Sequence, residues 1–320
     1  MPKALITGIN GQDGSYLAEI LLGKGYEVIG TIKRNSVAET QTCRLDSVFN
    51  DIKLEYADMT DMASLCHVIR NFKPDEIYHL AAQSHVHVSF KQPVYTCQAN
   101  AIGTLNLLEA VRLINKDIKV YNAGSSEMFG NSVEEDGFQR ESTLMNPVSP
   151  YGCSKVFSYN ICRNYRNSYG MFVSNGILFN HESPRRGSNF VSTKIVKGAV
   201  DILKGKKDSL TLGNLESRRD WGHSKDYVEA MYLMLQASTP KDYVVATGVS
   251  HSVRDMCNHV FNSLGLDYND HVIESEIYHR PEELNILKGD SSLAKEYLGW
   301  KPKYTFETLL EEMTDYWKNV

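Results

Sequence analysis

Lys3-Ala4-Leu5-Ile6-Thr7-Gly8-Ile9-Asn10-Gly11-Gln12-Asp13-Gly14 is the stretch on which the fold reading turns. Residues 3–7 carry the apolar run of a short buried strand, and a helical pattern follows over 15–22. Between them Gly8, Gly11 and Gly14 are spaced Gly-x-x-Gly-x-x-Gly. Such a loop makes a tight turn, lets backbone approach a pyrophosphate, and points a helix N-terminus at the anion. Three glycines alone are a weak signal. Placed after a first strand and opening a first helix, they become a specific one.

Working outward, strand patterns recur at 26–32, 53–56, 76–80, 119–121 and 172–178, with helical patterns at 62–70, 102–114 and 151–169. Alternating strands and helices imply a parallel sheet covered on both faces, an α/β, doubly wound, Rossmann-like fold. Gly23-Lys24-Gly25 ends the first helix. Beyond 178 the alternation weakens: helix is expected over 191–203, 226–236 and 253–264, strand over 209–212 and 243–246, and a charged loop over 216–220. The expected division is a cofactor-binding domain over 1–179, to which 222–248 returns. A smaller interleaved α/β substrate lobe would be built from 180–221 and 249–320.

The end of the second strand distinguishes cofactors. An acid there would bond the ribose hydroxyls of NAD and repel a 2′-phosphate. The chain has Lys33-Arg34-Asn35-Ser36 instead, whose cations and donors suit the 2′-phosphate of NADP. A solvated basic strand end is the plain alternative. Asp58 and Met59 end the third strand, where a carboxylate can accept from adenine; neighbouring Asp61 reads as a helix cap. Leu80, Ala82 and Ser84 end the fourth, and their small size either leaves room for a cofactor or permits close packing. With the loop residues Gly8, Asn10, Gly11, Gln12, Asp13 and Gly14, these form the expected cofactor set.

Tyr151-Gly-Cys-Ser-Lys155 places a phenol and an ammonium on one helix face. The ammonium is expected to lower the phenol's pKa, and the positive nicotinamide ring of the cofactor to lower it further, making Tyr151 a base for a hydroxyl proton while hydride leaves the same carbon. Lys155 can also donate to the nicotinamide ribose. Ser125, at the end of the fifth strand, can hydrogen-bond the reacting hydroxyl. Glu127 follows two residues later. Hydride transfer alone has no use for that carboxylate, whereas elimination of water needs a base at carbon and an acid at the departing hydroxyl; a solvated turn residue is the plain reading.

Composition narrows the rest. The 320 residues include 42% hydrophobic and 23% charged side chains with a net charge of −5, which gives no general attraction to nucleic acid or an anionic membrane. No apolar run approaches the roughly 18 residues of a membrane span, and no leader pattern opens the chain. Cysteines 43, 66, 97, 153, 162 and 257 lack a CxxC pair or a metal-ligand spacing; they are expected to be reduced and mostly buried, in a cytoplasmic protein.

At these residues the chain closely resembles the GDP-mannose 4,6-dehydratases of the extended short-chain dehydrogenase/reductase family. The resemblance runs through Thr7-Gly-Ile-Asn-Gly-Gln-Asp-Gly-Ser-Tyr-Leu-Ala-Glu19, Ala82-Gln-Ser-His-Val86 and Asn175-Gly-Ile-Leu-Phe-Asn-His-Glu-Ser-Pro-Arg-Arg-Gly187. It continues in Asn189-Phe-Val191, Leu212-Gly-Asn-Leu215, Arg219-Asp-Trp-Gly-His223 and Arg280-Pro-Glu-Glu283. It implies a redox-neutral lyase with bound NADP, acting on GDP-mannose in deoxyhexose biosynthesis. Tyr151 would be the base at C4, and Glu127 would act at C5 and the C6 hydroxyl. It further implies Tyr95, His181 and Arg186 at the cofactor, and Ser84, Asn180, Lys194, Arg219, Arg280 and Glu283 at the substrate. Arg44 matches a loop that reaches a neighbouring subunit's cofactor, implying a homodimer or homotetramer. Ser125 stands where relatives often carry Thr. Ser192-Thr193-Lys194 lacks an Arg that many carry before the Lys, and 266–279 is shorter than in many members. A reductase or epimerase on the same scaffold would use Ser, Tyr and Lys without Glu127. A non-catalytic NADP-binding protein would often lack the Tyr–Lys pair.

Overall fold

The computed structural model describes residues 1–36, 41–278 and 282–320. Along the first half run β1 (Lys3–Thr7), α1 (Gln12–Gly23), β2 (Glu27–Ile32), β3 (Lys53–Tyr56), α2 (Met62–Phe72) and β4 (Glu76–His79). Then come α3 (Val86–Lys91), α4 (Pro93–Cys97), α5 (Gly103–Ile114), β5 (Lys119–Ala123), α6 (Pro150–Tyr169) and β6 (Val173–Leu178). One π-helical turn, Gln98–Ile102, joins α4 to α5. The second half holds β7 (Asn180–Glu182), α7 (Val191–Leu203), β8 (Leu210–Leu212), β9 (Arg218–His223), α8 (Ser224–Gln236) and β10 (Asp242–Val245). It closes with β11 (Ser250–Ser252), α9 (Val253–Ser263), β12 (Val272–Glu274), α10 (Ser292–Leu298) and α11 (Phe306–Asn319).

Seven strands form one sheet in the order β10-β6-β5-β4-β1-β2-β3, every pair parallel. The order reverses between β1 and β4, and ligands of such sheets bind outside the strand C-termini at that switch. Strand periodicity feeds two cores. Ala4, Ile6 and Val28 pack with Leu17 and Leu21 of α1 and Met231 and Met234 of α8. Leu5, Ile29 and Val120 turn to the other face, against Val68 of α2, Leu107 and Val111 of α5, and Cys162 of α6. Two smaller sheets, β11-β9-β7 and β12-β8, lie beyond the strand ends. A separate apolar cluster joins Ile195 and Val196 of α7, Trp221 of β9, Met256 and Phe261 of α9, and Leu310 and Met313 of α11. Ala294 and Trp300 pack instead on the α1–α8 side of the large sheet.

Two expectations are corrected. The charged segment 216–220 is not all loop, because β9 begins at Arg218. Its Asp220 is fully buried and accepts from the backbone amides of Thr247 (2.8 Å) and Gly248 (2.8 Å) and the Thr247 hydroxyl (2.7 Å). The cysteines are all free, but only Cys162 and Cys257 are buried; Cys43, Cys97 and Cys153 are exposed and Cys66 is half-buried. Among the described residues no helix is long and apolar enough to cross a membrane.

Gly8 holds the switch point together. Its φ is +71°, and a Cβ there would lie 2.9 Å from the Ala81 Cα and 3.0 Å from the Ala81 nitrogen, backbone atoms that cannot swing aside. Gly23 closes α1 without a positive φ, and a Cβ there meets nothing within 4 Å. Gly8→Ala is therefore expected to cost at least about 2 kcal/mol from strain and overlap. Gly23→Ala is expected to be neutral or stabilising by up to about 1 kcal/mol. Urea unfolding midpoints of the two variants check the contrast.

Candidate active site

The strand C-termini, α1 and the segments beyond β6 enclose a cleft of about 860 Å³. Its floor is the glycine loop. Gly11 stands at the N-cap of α1 without a side-chain cap, so the first-turn amides are not closed off by a side chain. Gly8, Asn10, Gly11, Gln12, Asp13 and Gly14 all line the cleft. The side chains of Gln12 and Asp13, however, turn to protein. Gln12 donates to the His181 carbonyl (3.1 Å) and accepts from Ser183 (2.9 Å), while Asp13 meets the His181 Nε2 (2.8 Å) and accepts from Ser224 (3.1 Å).

At one end Lys33, Arg34, Asn35, Asp58, Met59 and Tyr95 line the wall. Lys33 ion-pairs with Asp58 (2.9 Å), donates to the Tyr95 hydroxyl (3.2 Å) and lies over its ring. The Asp58 carboxyl is held below its usual range by hydrogen bonds from Thr60 and Lys33 that outweigh its partial burial. Arg34 is exposed and donates to the Asn35 carbonyl. Ser36 is exposed and is not part of the cleft wall. Asp61 caps α2 by accepting from the amides of Ala63 and Ser64. Leu80, Ala82 and Ser84 line the cleft, and adjacent Ala81 is the residue that Gly8 closely approaches.

Ser125, Glu127, Tyr151 and Lys155 converge on one wall. Ser125 and Glu127 sit in the tight turn after β5, where the Ser125 hydroxyl accepts from the Glu127 amide (3.2 Å). Glu127 is buried, not a solvated turn residue. Ser149 caps α6 through the Gly152 amide, and Pro150 occupies its first turn, so Tyr151 and Lys155 enter on a fixed helix. Asn100, in the π-helical turn, clamps that helix: it donates to Ser154 (3.0 Å), and Ser158 donates to its carbonyl (2.9 Å). Lys155 donates to the Ala123 carbonyl (2.7 Å). The expected electrostatics are corrected here. Burial pushes the Tyr151 phenol up to about 12, aided by the Glu127 charge and opposed by hydrogen bonding with Ser125 and the Arg186 charge. Burial also pushes the Lys155 ammonium down to about 8. Desolvation, not the Tyr–Lys pairing, dominates both groups.

Across the cleft stand Asn180, His181, Arg186, Lys194, Arg219 and Glu283. Arg219 donates to the carbonyls of Arg218 (2.8 Å) and Leu284 (3.0 Å), which fixes it beside Glu283. Arg280 lies outside the described residues. Arg44 donates within its own chain, to the carbonyls of Arg185 (2.8 Å) and Asn10 (3.3 Å). Wall residues that the sequence reading did not single out include His85, Glu182, Phe190, Asn214, Ser217 and Trp221. Among the described residues no group of His, Cys, Asp and Glu could hold a metal ion.

The model of the GDP-mannose 4,6 dehydratase family matches residues 5–313. The chain belongs to that family. It is 52% identical over 324 residues to GDP-mannose 4,6 dehydratase 1 of Arabidopsis thaliana, covering 98% of this chain and 88% of that protein. It is 46% identical over 338 residues to the GDP-mannose 4,6 dehydratase of Homo sapiens, covering 97% and 90%. The structure of the UDP-glucose 4-epimerase of Thermus thermophilus, in complex with NAD, superimposes with a TM-score of 0.86 at 26% identity and covers 99% of both chains.

Within this family member, His181 shows its own protonation state. Its Nδ1 faces the Phe179 carbonyl (2.7 Å) and its Nε2 faces the Asp13 carboxylate (2.8 Å). Both partners accept, so both nitrogens carry protons and the ring is an imidazolium. Its pKa is raised, the Asp13 charge and hydrogen bonds outweighing burial, and the Asp13 carboxyl is lowered despite its own burial, chiefly by His181. The Asp13 contribution is complete above its unfolded value of about 3.9 and fades as pH falls through the lowered one. The His181 contribution is complete below its unfolded value of about 6.5 and fades as pH rises through the raised one. The pair thus stabilises most between about pH 4 and 6.5. Asp13→Asn is expected to remove about 1.5–3 kcal/mol there, with a smaller loss at pH 9. Thermal melts at pH 5.5 and 9 check this; an equal loss at both would refute the imidazolium.

Proposed function

We propose that the protein is a GDP-mannose 4,6-dehydratase that converts GDP-D-mannose to GDP-4-keto-6-deoxy-D-mannose and water with NADP as a catalytic carrier. The observation that carries the reading is Glu127, a buried carboxylate on the same wall as Ser125, Tyr151 and Lys155. The residues at the other end fit the cofactor. An uncapped helix start offers amides to a pyrophosphate, and the end of β2 presents Arg34 and Lys33 with no acid. Lys33 is engaged with Asp58 and Tyr95, so Arg34 carries most of the preference for a 2′-phosphate, with Asn35 beside it. Segments 1–179 and 222–248 form the NADP-binding part. Segments 180–221 and 249–320 form the nucleotide-sugar part, except that Ala294 and Trp300 pack on the large sheet; here Lys194 and Arg219 suit the diphosphate and Glu283 the ribose hydroxyls.

When bound, NADP supplies a reversible site for the hydride that leaves C4 and returns to C6. Tyr151 removes the C4 hydroxyl proton as the phenolate, which the positive ring of oxidised NADP would favour against burial, while Ser125 holds that oxygen and Lys155 steadies the nicotinamide ribose. The new C4 ketone acidifies C5. Glu127 takes the C5 proton and passes it to the C6 hydroxyl, which departs as water and leaves a C5–C6 double bond conjugated to the ketone. The hydride taken from C4 is the one added at C6, and a proton returning to C5 completes the product, so no external reductant is consumed. Assembly as a homodimer or homotetramer, with the segment around Arg44 near a neighbour's cofactor, rests on the family resemblance and belongs to the same proposal.

Glu127→Gln keeps shape and removes the base. It is expected to lower product formation about 10²–10⁴-fold while C4 oxidation persists, and to suppress solvent deuterium entry at C5. Tyr151→Phe is expected to stop the cycle before oxidation. Single-turnover absorbance at 340 nm and NMR of products formed in D₂O read both variants. Wild-type rates from Glu127→Gln would end the dehydratase reading and favour a reductase or epimerase.

A further inference from the structure

Glu182 ends β7 with its side chain only 2% exposed. A carboxylate removed from water is costly unless it meets a cation and hydrogen-bond donors. Glu182 has both on one oxygen: the Ser192 hydroxyl donates to it (2.6 Å), and the Arg186 Nε lies 2.9 Å away. That Arg186 contact is an ion pair and not an aligned hydrogen bond, since Nε is buried without a geometric partner. The guanidinium also lies over the Phe190 ring, 3.6 Å from its centroid. Arg186 is thereby fixed from two sides. No protein acceptor among the described residues takes its terminal nitrogens, and Arg186 lines the cleft.

From this arrangement we infer that Glu182, backed by Ser192, is a positioning residue: it orients Arg186 so that its two terminal nitrogens meet the bound cofactor. The inference rests on the proposed function for the identity of that cofactor and on the family resemblance for placing Arg186 against it. A flexible arginine would lose conformational freedom on binding; a guanidinium already held on Phe190 by a buried charge does not. The same positioning sets the field at the base. The Arg186 charge, like hydrogen bonding with Ser125, draws the Tyr151 phenol down against burial and the charges of Glu127 and Asp13.

A double-mutant cycle with NADPH separates positioning from simple structural support. Glu182→Gln is expected to weaken NADPH binding about tenfold by calorimetry. In an Arg186→Gln background the same change is expected to have no further effect, because its consequence passes through Arg186. In turnover, Glu182→Gln should also move the acid limb of the kcat profile to higher pH, since a less constrained Arg186 holds the phenol down less well. Ser192→Ala, which keeps both charges, should weaken NADPH binding about threefold and keeps the inference testable if Glu182→Gln does not fold. Additive losses in the double variant, or unchanged NADPH affinity in both Glu182→Gln and Ser192→Ala, overturn the inference. Wild-type protein that binds NADPH but leaves GDP-mannose unconverted would end the proposed function while the cycle still reads the role of Glu182.

Discussion

The contact between the first turn of α1 and the segment after β6 organises the whole cleft. Asp13 joins the His181 imidazolium and Ser224, while Gln12 joins the His181 carbonyl and Ser183. Residues 12–13, 181–183 and 224 are far apart in the chain, and two adjacent side chains bring them together. Tyr227, one turn into α8, stacks on His181 at 4.5 Å. The glycine loop, the start of β7 and the start of α8 are therefore tied to one another directly. Everything on the far wall, including Glu182 and Arg186, is placed relative to the loop through this junction. Preorganisation of this kind removes reorganisation cost from both binding and chemistry.

Burial governs the reactive groups. Tyr151 and Lys155 are both desolvated, which raises the phenol and lowers the ammonium toward neutral forms. The neighbouring His79 is neutral for the same reason, its pKa brought down to about 3 by burial and the Lys155 charge. Thr7 explains its tautomer. That hydroxyl accepts from the amides of Leu80 and Ala81, so its proton goes to the His79 Nδ1 and leaves Nε2–H facing Thr104. A buried polar seam thus runs from β1 through His79 to Thr104 and on to Ser158 of α6. It couples the strand before the glycine loop to the helix that carries Tyr151 and Lys155.

The legible parts of the sequence were those set by local periodicity. The parallel sheet, the glycine loop and the Tyr–Lys helix follow from spacing read together with the order of strands and helices, and Gly8 shows why its position admits no side chain. Long-range partners were not legible. Arg218, Arg219 and Asp220 read as a charged loop because the backbone groups that satisfy them come from around 247, 250 and 284. Gln12 and Asp13 line the cleft as expected, but nothing local shows that their side chains reach His181 and Ser183. No local signal marks α10 and α11: short or mixed in pattern, they are held by tertiary packing, Ala294 of α10 in the core beneath α1 and α8, and Leu310 and Met313 of α11 in the core with α7 and α9. The Tyr–Lys spacing picks out two residues that line the cleft, but their electrostatics depend on burial and on Glu127, Ser125 and Arg186, which spacing does not show.

The proposed reaction requires one active site to oxidise C4, eliminate water across C5 and C6, and return the same hydride to C6. GDP-mannose carrying deuterium at C4, incubated with NADP-loaded wild-type enzyme in ordinary water, tests it in a single NMR spectrum. The account predicts a 4-keto-6-deoxy product with the deuterium at C6 and a solvent proton at C5, without added reductant. Deuterium retained at C4 of an unchanged or epimerised sugar, or a turnover that stops unless NADPH is supplied, would contradict it.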